Sequence, residues 1–179
     1  MKTLTLLRHA KSGWDDPVAR DFDRPLNRRG RRAAKTVGRE MRAQGLVFDQ
    51  VIASPAARVV ETLADIVDGY GRSLDPRFDQ RIYLASKETL LDIVHEADDG
   101  AERLLIVGHN PGLEMLAMML TSGEGLRTEL AIKYPTATVA EISLPVAHWW
   151  DVAEGIGTLA RFIRPRDLDP ELGPDEDNV

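Results

Sequence analysis

The sequence contains no cysteine, few aromatic residues and no long apolar run. Without cysteine, the chain can form neither a disulfide, nor a thiolate metal site, nor a thiol nucleophile. The paired Trp149 and Trp150 have no basic residue close by, so they do not suggest a base-stacking surface. The first apolar run stops at Arg8, which makes it too short for a signal peptide or a membrane span. These absences predict a soluble, cytoplasmic protein that does not bind membranes.

The charge balance argues against general nucleic-acid binding. The formal net charge is −6 at pH 7, whereas general nucleic-acid binders carry a positive field. No feature of the sequence demands an oligomer, so we expect a monomer.

Short apolar runs alternate along the chain with amphipathic segments of helical period. Strands are predicted over residues 4–7, 49–54, 104–107, 136–144 and 158–165. Helices are predicted over residues 28–44, 54–68, 86–97 and 113–120, with an irregular segment over 121–135. This alternation predicts an α/β fold, a three-layer sandwich whose mainly parallel central sheet has helices on both faces. We assign residues 1–166 to a single domain and residues 167–179 to an acidic, mobile tail.

Two residues are predicted to start helices in this scheme. Asn27 has a side chain suited to cap the helix that follows it. Ser54, followed by Pro55, is predicted to cap the second helix, because proline is favoured at the first helical position.

Polar side chains follow three of the predicted strands. Arg8 and His9 follow the first, Arg58 lies early in the helix after the second, and His109 follows the third. In such folds, ligands bind beyond the carboxyl ends of the strands. Guanidinium groups and helix N-termini both favour a tetrahedral dianion, and a neutral imidazole can attack phosphorus. Each residue alone also fits a turn or a surface ion pair, but their joint placement favours a phosphoryl-transfer site.

Other chemistry has weaker support. The chain has no Walker-type glycine-rich phosphate loop and no helix bearing a metal-binding histidine pair. Asp15, Asp16, Asp21 and Asp23 could attract a cation, but scattered loop aspartates seldom form a site. We therefore predict neither a metal nor a cofactor.

The segments LLRHAKS, SPAARVVET and VGHNPGLE resemble signature blocks of the histidine phosphatase (phosphoglycerate-mutase-like) superfamily, and most of all its SixA-type phosphohistidine phosphatase branch. The segments FDRPLNRRGRRAA and RFIRPRDL extend the likeness over most of residues 3–166. The resemblance implies a phosphoglycerate-mutase-like fold. It also implies that His9 carries the phosphoryl group, while Arg8, Arg58 and His109 bind the phosphate and stabilise the transition state.

The resemblance also indicates candidates at the pocket rim, Ser12 and Asn27. The sequence departs from the family pattern in the segment RFDQRIYLASKE, which lacks a clear acidic residue to protonate a leaving group. Asp79 and Glu88 are the candidates for a general acid there. The short stretch before His109 also leaves no room for a large helical lid, so we expect an open site.

The favoured hypothesis is a metal-independent phosphatase that forms a phosphohistidine intermediate and acts on phosphohistidine in a protein. An open site admits a protein side chain, and a phosphoramidate nitrogen can be protonated from solvent. One alternative is a phosphatase for small phosphomonoesters, or a mutase-like enzyme. The non-enzymatic alternative is an idle phosphate-binding module.

Overall fold

The computed structural model describes residues 1–14 and 20–173. Its centre is a six-stranded sheet. The strands are β1 (Lys2–Arg8), β2 (Gln50–Ala53), β3 (Arg77–Phe78), β4 (Arg103–Gly108), β5 (Val139–Leu144) and β6 (Thr158–Ile163). Their order is β3-β2-β4-β1-β5-β6, and β5 runs antiparallel to the other five. The predicted mainly parallel sheet is therefore confirmed.

Helices cover both faces of the sheet, as predicted. They are α1 (Arg28–Ala43), α2 (Ala57–Tyr70), α3 (Lys87–His95), α4 (Gly112–Leu120), α5 (Leu126–Ile132) and α6 (Pro165–Leu168). The central strand β4 shows why both faces need cover, because its side chains alternate between two cores. Leu104 and Ile106 join the core under α3 and α4, whereas Leu105 and Val107 join the core under α1 and α2. A strand buried on both faces has no polar alternation, which explains its continuous apolar sequence.

The predicted cap of α1 is confirmed, and the predicted cap of α2 is wrong. The Asn27 side-chain oxygen accepts a hydrogen bond from the backbone N–H of Gly30 at 2.8 Å. Helix α2 begins at Ala57, after Ala56, and no side chain caps it. Ser54 is fully buried and its hydroxyl lies against His109 instead. The Ser54 hydroxyl therefore makes a tertiary contact with His109 instead of capping the helix, as the local sequence pattern predicted.

The predicted irregular segment over residues 121–135 is also wrong in part, because it contains α5. This helix buries Leu130 in the core beside α4. Seven residues are too few for a clear helical period in the sequence, so packing rather than local propensity stabilises this helix.

The first part of the predicted tail contacts α1. Asp169 forms an ion pair with Arg32 at 2.6 Å, and Leu172 packs in the core on that side of the sheet. Residues 174–179, which complete the predicted mobile tail, lie outside the described residues. Within the described ranges, no helix has both the length and the apolar character that crossing a bilayer requires.

Candidate active site

Three neighbouring strands deliver the candidate residues to one edge of the sheet. Strands β1 and β4 are paired in parallel with Arg8 opposite Gly108, so the following residues, His9 and His109, are also neighbours. Their ring centroids are 5.3 Å apart. Strand β2 lies on the other side of β4, and the helix that follows it carries Arg58. The structure thus brings together Arg8, His9, Arg58 and His109.

These residues line a cavity of about 510 Å³. Among its described lining residues, Arg8, Lys11, Arg24 and Arg58 are cationic and Asp21 is acidic. The cavity wall therefore carries an excess of positive charge in a chain whose net charge is −6. This local field favours an anionic ligand.

The His9 ring is fixed by the backbone of the next residue. Its Nδ1 lies 2.7 Å from the carbonyl oxygen of Ala10. Because a carbonyl only accepts, Nδ1 carries the hydrogen and Nε2 keeps its lone pair. Burial lowers the pKa of His9 well below its ordinary value, and the positive charges of nearby Arg8 and Arg58 add to this effect. The ring is therefore neutral at pH 7, and its Nε2 carries a free lone pair.

The His109 ring is fixed through its other nitrogen. Its Nε2 lies 2.7 Å from the hydroxyl of Ser54. The oxygen of that hydroxyl accepts a hydrogen bond from the backbone N–H of Ala56. The hydroxyl hydrogen is then available to Nε2, which favours a ring hydrogen on Nδ1. Burial and the charge of Arg58 lower the pKa of His109 to about 3. His109 is therefore a neutral donor through Nδ1.

The two arginines are anchored alike. Arg8 donates from NH1 to the carbonyl of Tyr134 at 2.9 Å, and Arg58 donates from NH1 to the carbonyl of Asp21 at 2.7 Å. In both, the buried Nε has no partner among the described residues, and the same is true of His109 Nδ1. Leaving a buried donor unpaired costs about 1–3 kcal/mol. A tetrahedral oxyanion carries enough acceptors to pair with all three.

Asp21 lines the cavity beside Arg58, and Tyr83 lies behind it. The Asp21 carboxylate accepts hydrogen bonds from Arg58 NH2 at 3.1 Å and from the Tyr83 hydroxyl. It also accepts from Arg24 Nε at 3.1 Å. Burial alone would raise the pKa of Asp21, but the bonds from Tyr83 and Arg58 and the charge of Arg58 lower it to about 2. Sequence reasoning missed this role, because it offered Asp21 only as one of several loop aspartates.

The predicted rim residues both line the cavity. The Ser12 hydroxyl accepts a hydrogen bond from Arg24 NH1 at 2.8 Å, so it helps to hold that guanidinium. Asn27 uses its side-chain oxygen to cap α1. Its contribution at the rim is therefore to fix the start of that helix.

The structure does not bring either predicted general acid to the cavity. Asp79 is paired with Arg81 at 2.8 Å and caps a short 3-10 turn. Glu88 lies on α3 and lines a separate depression with Met115. Between α2 and β4, the chain forms only β3, that turn and α3, so no large helical lid is built from this segment.

Comparison with known proteins places this geometry in context. Residues 4–83 match the model of the histidine phosphatase superfamily (branch 1). An uncharacterized protein of Mycobacterium tuberculosis is 35% identical over 164 residues, which are 89% of this chain and 100% of that protein.

Solved structures are similar over nearly the whole chain. A candidate phosphohistidine phosphatase SixA from Nakamurella multipartitia is 30% identical, with a TM-score of 0.79 over 92% of this chain and 96% of that one. Its counterpart from Agrobacterium tumefaciens is 29% identical, with a TM-score of 0.76 over 92% and 98%. A protein histidine phosphatase SixA solved with tungstate is 19% identical and shares the fold, with a TM-score of 0.74 over 93% of this chain and 99% of that one.

Proposed function

We propose that this chain, which belongs to the histidine phosphatase superfamily, removes the phosphoryl group from phosphohistidine in a protein. Membership of the SixA-type branch makes it a phosphatase with a histidine nucleophile. Our proposal adds that His9 is this nucleophile, that Arg8, Arg58 and His109 hold the phosphoryl oxygens, and that the substrate bond is phosphorus to nitrogen.

One observation carries the proposal. A neutral His9, whose Nδ1 is held by a backbone carbonyl, shares a cavity with three buried N–H donors that lack partners among the described residues. Donors held in place before the reaction can stabilise the negative charge that develops during phosphoryl transfer, which supports a role for these groups in binding the phosphoryl oxygens.

The reaction then has two displacements. First, the lone pair of His9 Nε2 forms a bond to phosphorus while the substrate bond from phosphorus to nitrogen breaks, and the leaving imidazole takes a proton from solvent. Second, water attacks phosphorus and loses a proton, the bond to His9 breaks, and inorganic phosphate leaves. His9 returns to its neutral form, so the cycle balances without a redox or metal step.

The acid–base character of the cavity favours a nitrogen leaving group. An alkoxide from an ester needs a nearby acid, and Asp21 is the acidic residue among the described lining residues. With a pKa of about 2, Asp21 is ionised at neutral pH and cannot donate a proton. A phosphoramidate does not share this need, because its nitrogen can be protonated from solvent.

The proposal extends to partners and location. The net charge of −6 supports a protein rather than a nucleic acid as the macromolecular partner. The absence of cysteine supports a cytoplasmic location, and we propose that the enzyme acts as a monomer.

The test compares substrates at equal concentration. A histidine-containing protein phosphorylated with potassium phosphoramidate is assayed beside phosphoserine and a sugar phosphate. We expect a higher kcat/KM for the phosphohistidine protein. Preference for either small ester would instead indicate a phosphomonoesterase, and hydrolysis of none would indicate an idle module.

The intermediate gives a second test. Enzyme labelled from the phosphoryl donor should keep its label after an alkaline quench and lose it in acid, because phosphohistidine is acid-labile. His9→Ala should abolish labelling and lower the rate at least about 10,000-fold. Label that survives acid would point to a serine or threonine ester and would remove His9 from its role.

A further inference from the structure

We propose that Trp14 and Leu84 form a docking rim for the protein that carries the phosphohistidine. This inference rests on the proposed function and names the surface that recognises its substrate. The rim is the pair of exposed apolar side chains in the cavity wall, Trp14 and Leu84.

Both rim residues combine exposure with a place at the catalytic cavity. Trp14 is 69% exposed and Leu84 is 56% exposed, yet both line the cavity that contains His9 and Arg58. Single exposed apolar residues are common on protein surfaces and need no explanation alone. Two of them at the mouth of a strongly cationic cavity are different, because the phosphoryl group and the apolar contacts would be offered to one ligand.

Trp14 is held in place rather than left free. The guanidinium carbon of Arg24 lies 3.5 Å from the centroid of its ring. Arg24 is itself held by Ser12 and Asp21 through the contacts described above. One face of the indole is therefore covered and the rest is presented to solvent. An exposed tryptophan is the kind of side chain that contributes most to protein–protein contacts.

Leu84 is held in an unfavourable backbone conformation. Its φ of 50° lies in the left-handed region, which glycine and asparagine adopt readily and leucine adopts rarely. The neighbouring residues fix it there: Tyr83 donates its backbone N–H to Gln80, and Ala85 donates to Ile82, which is buried in the core. An exposed leucine in a strained backbone conformation supports a role in binding, because folding alone would favour another residue.

The occupant that fits both features is a protein. A phosphorylated sugar or a free amino acid would fill the cationic cavity, but it has no apolar surface to cover side chains on the rim. The side chains around a phosphohistidine on a protein surface can cover the rim while the phosphoryl group reaches His9. Continuity between the rim and the cavity therefore selects a phosphoprotein over a small molecule.

The experiment compares one bond in two settings. The substrates are free phosphohistidine and a histidine-containing protein phosphorylated with potassium phosphoramidate. We expect Trp14→Ala and Leu84→Asn to lower kcat/KM for the phosphoprotein about tenfold more than for free phosphohistidine. Asparagine suits the left-handed backbone, so Leu84→Asn should keep the thermal unfolding temperature of the native chain, and loss of folding cannot account for its effect.

Two matched controls make the result specific. Trp150 and Ile132 are 57% and 78% exposed and lie outside the catalytic cavity, so Trp150→Ala and Ile132→Ala should leave both substrates unaffected. The rim is overturned if the rim variants change both substrates by the same factor, or if the controls discriminate as strongly. It is also overturned if sedimentation shows a dimer that dissociates in Trp14→Ala, since a second copy would then be the occupant.

These outcomes separate the two proposals. Hydrolysis of phosphohistidine by the native chain with an unchanged ratio in the rim variants defeats the rim alone. Failure of the native chain to hydrolyse either substrate defeats the proposed function, and the rim with it.

Discussion

The two histidines of the site are oriented by different kinds of contact. His9 is held by the carbonyl of Ala10, the next residue in the chain, whereas His109 is held by the hydroxyl of Ser54, far away in sequence. The first contact uses backbone, so a substitution at residue 10 does not remove it. The second depends on one side chain delivered by another strand. The His9 ring is therefore positioned locally, whereas the His109 ring is positioned by the tertiary structure.

The two arginines repeat this difference. Arg8 is anchored by the backbone carbonyl of Tyr134, whereas Arg58 is anchored by both the carbonyl and the carboxylate of Asp21. The half of the site built on β1 thus depends on backbone contacts. The other half, His109 and Arg58, depends on the side chains of Ser54 and Asp21. Each of these two side chains can be replaced separately.

The largest expected effect is the difference in kcat and in labelling between substitutions of His9 and of His109. His9→Gln should lower kcat at least about 10,000-fold and abolish labelling, because the bond to phosphorus cannot form. His109→Gln should lose about 100- to 1,000-fold and still label slowly, because it removes one donor to a phosphoryl oxygen. The measurement is single-turnover kinetics with an alkaline quench. Equal loss of labelling in both variants would mean that the rings do not have separate roles.

The second effect concerns pH and stability. The folded pKa of His109 is about 3, below its ordinary value, so between these values the unfolded chain binds a proton that the folded chain does not. Stability should therefore fall as the pH falls below about 6.5. His109→Gln should remove up to about 2 kcal/mol of the loss between pH 7 and pH 5.

Urea denaturation in phosphate-free buffer at the two pH values measures this loss for the native chain and the variant. Phosphate is omitted because a bound anion would raise the pKa of the histidines. The same loss in both proteins would show that His109 takes up its proton in the folded state.

A smaller effect is expected at Ser54. Ser54→Ala should lower kcat/KM about tenfold, because His109 loses the hydroxyl that favours the ring hydrogen on Nδ1. Ser54→Thr should restore much of the activity. Nitrogen chemical shifts of the imidazole report the tautomer directly, which a merely structural effect would leave unchanged.

Ser12→Ala is the matched control for this substitution, because Ser12 is a hydroxyl of the same cavity that contacts Arg24 rather than a histidine. It should leave the His109 tautomer as it is in the native chain. A tautomer that stays the same in Ser54→Ala would contradict the assigned role.

The smallest effect is expected at Asp21. Asp21→Asn keeps a hydrogen-bond acceptor for Arg58 but removes a negative charge next to the bound anion, so inorganic phosphate should inhibit about threefold more strongly. Asp23→Asn makes the same charge change at an exposed pair with Arg20, outside the cavity, and should have no such effect. Competitive inhibition at low ionic strength decides between them, and weaker inhibition in Asp21→Asn would show that its charge is needed to hold Arg58.

Much of the fold was predictable because its signals are local. The apolar run of β4, the cap at Asn27 and the period of α1 each depend on a few consecutive residues. The candidate residues could be found because the ends of parallel strands meet at one edge of a sheet. Helix α5 could not be found, because it owes its stability to the burial of Leu130 rather than to its own sequence.

What the sequence determined by itself is the order of the longer strands and helices and the presence of Arg8, His9 and His109 at strand ends. Tertiary structure decided how Arg8 and His109 are oriented, since their anchors, Tyr134 and Ser54, are distant in sequence. It turned Ser54 from a predicted cap into a partner of His109, placed Asp21 on Arg58, and kept Asp79 and Glu88 away from the cavity. The physical reason is that a side-chain hydrogen bond is made between groups close in space, and residues distant in the chain meet only after the sheet has formed.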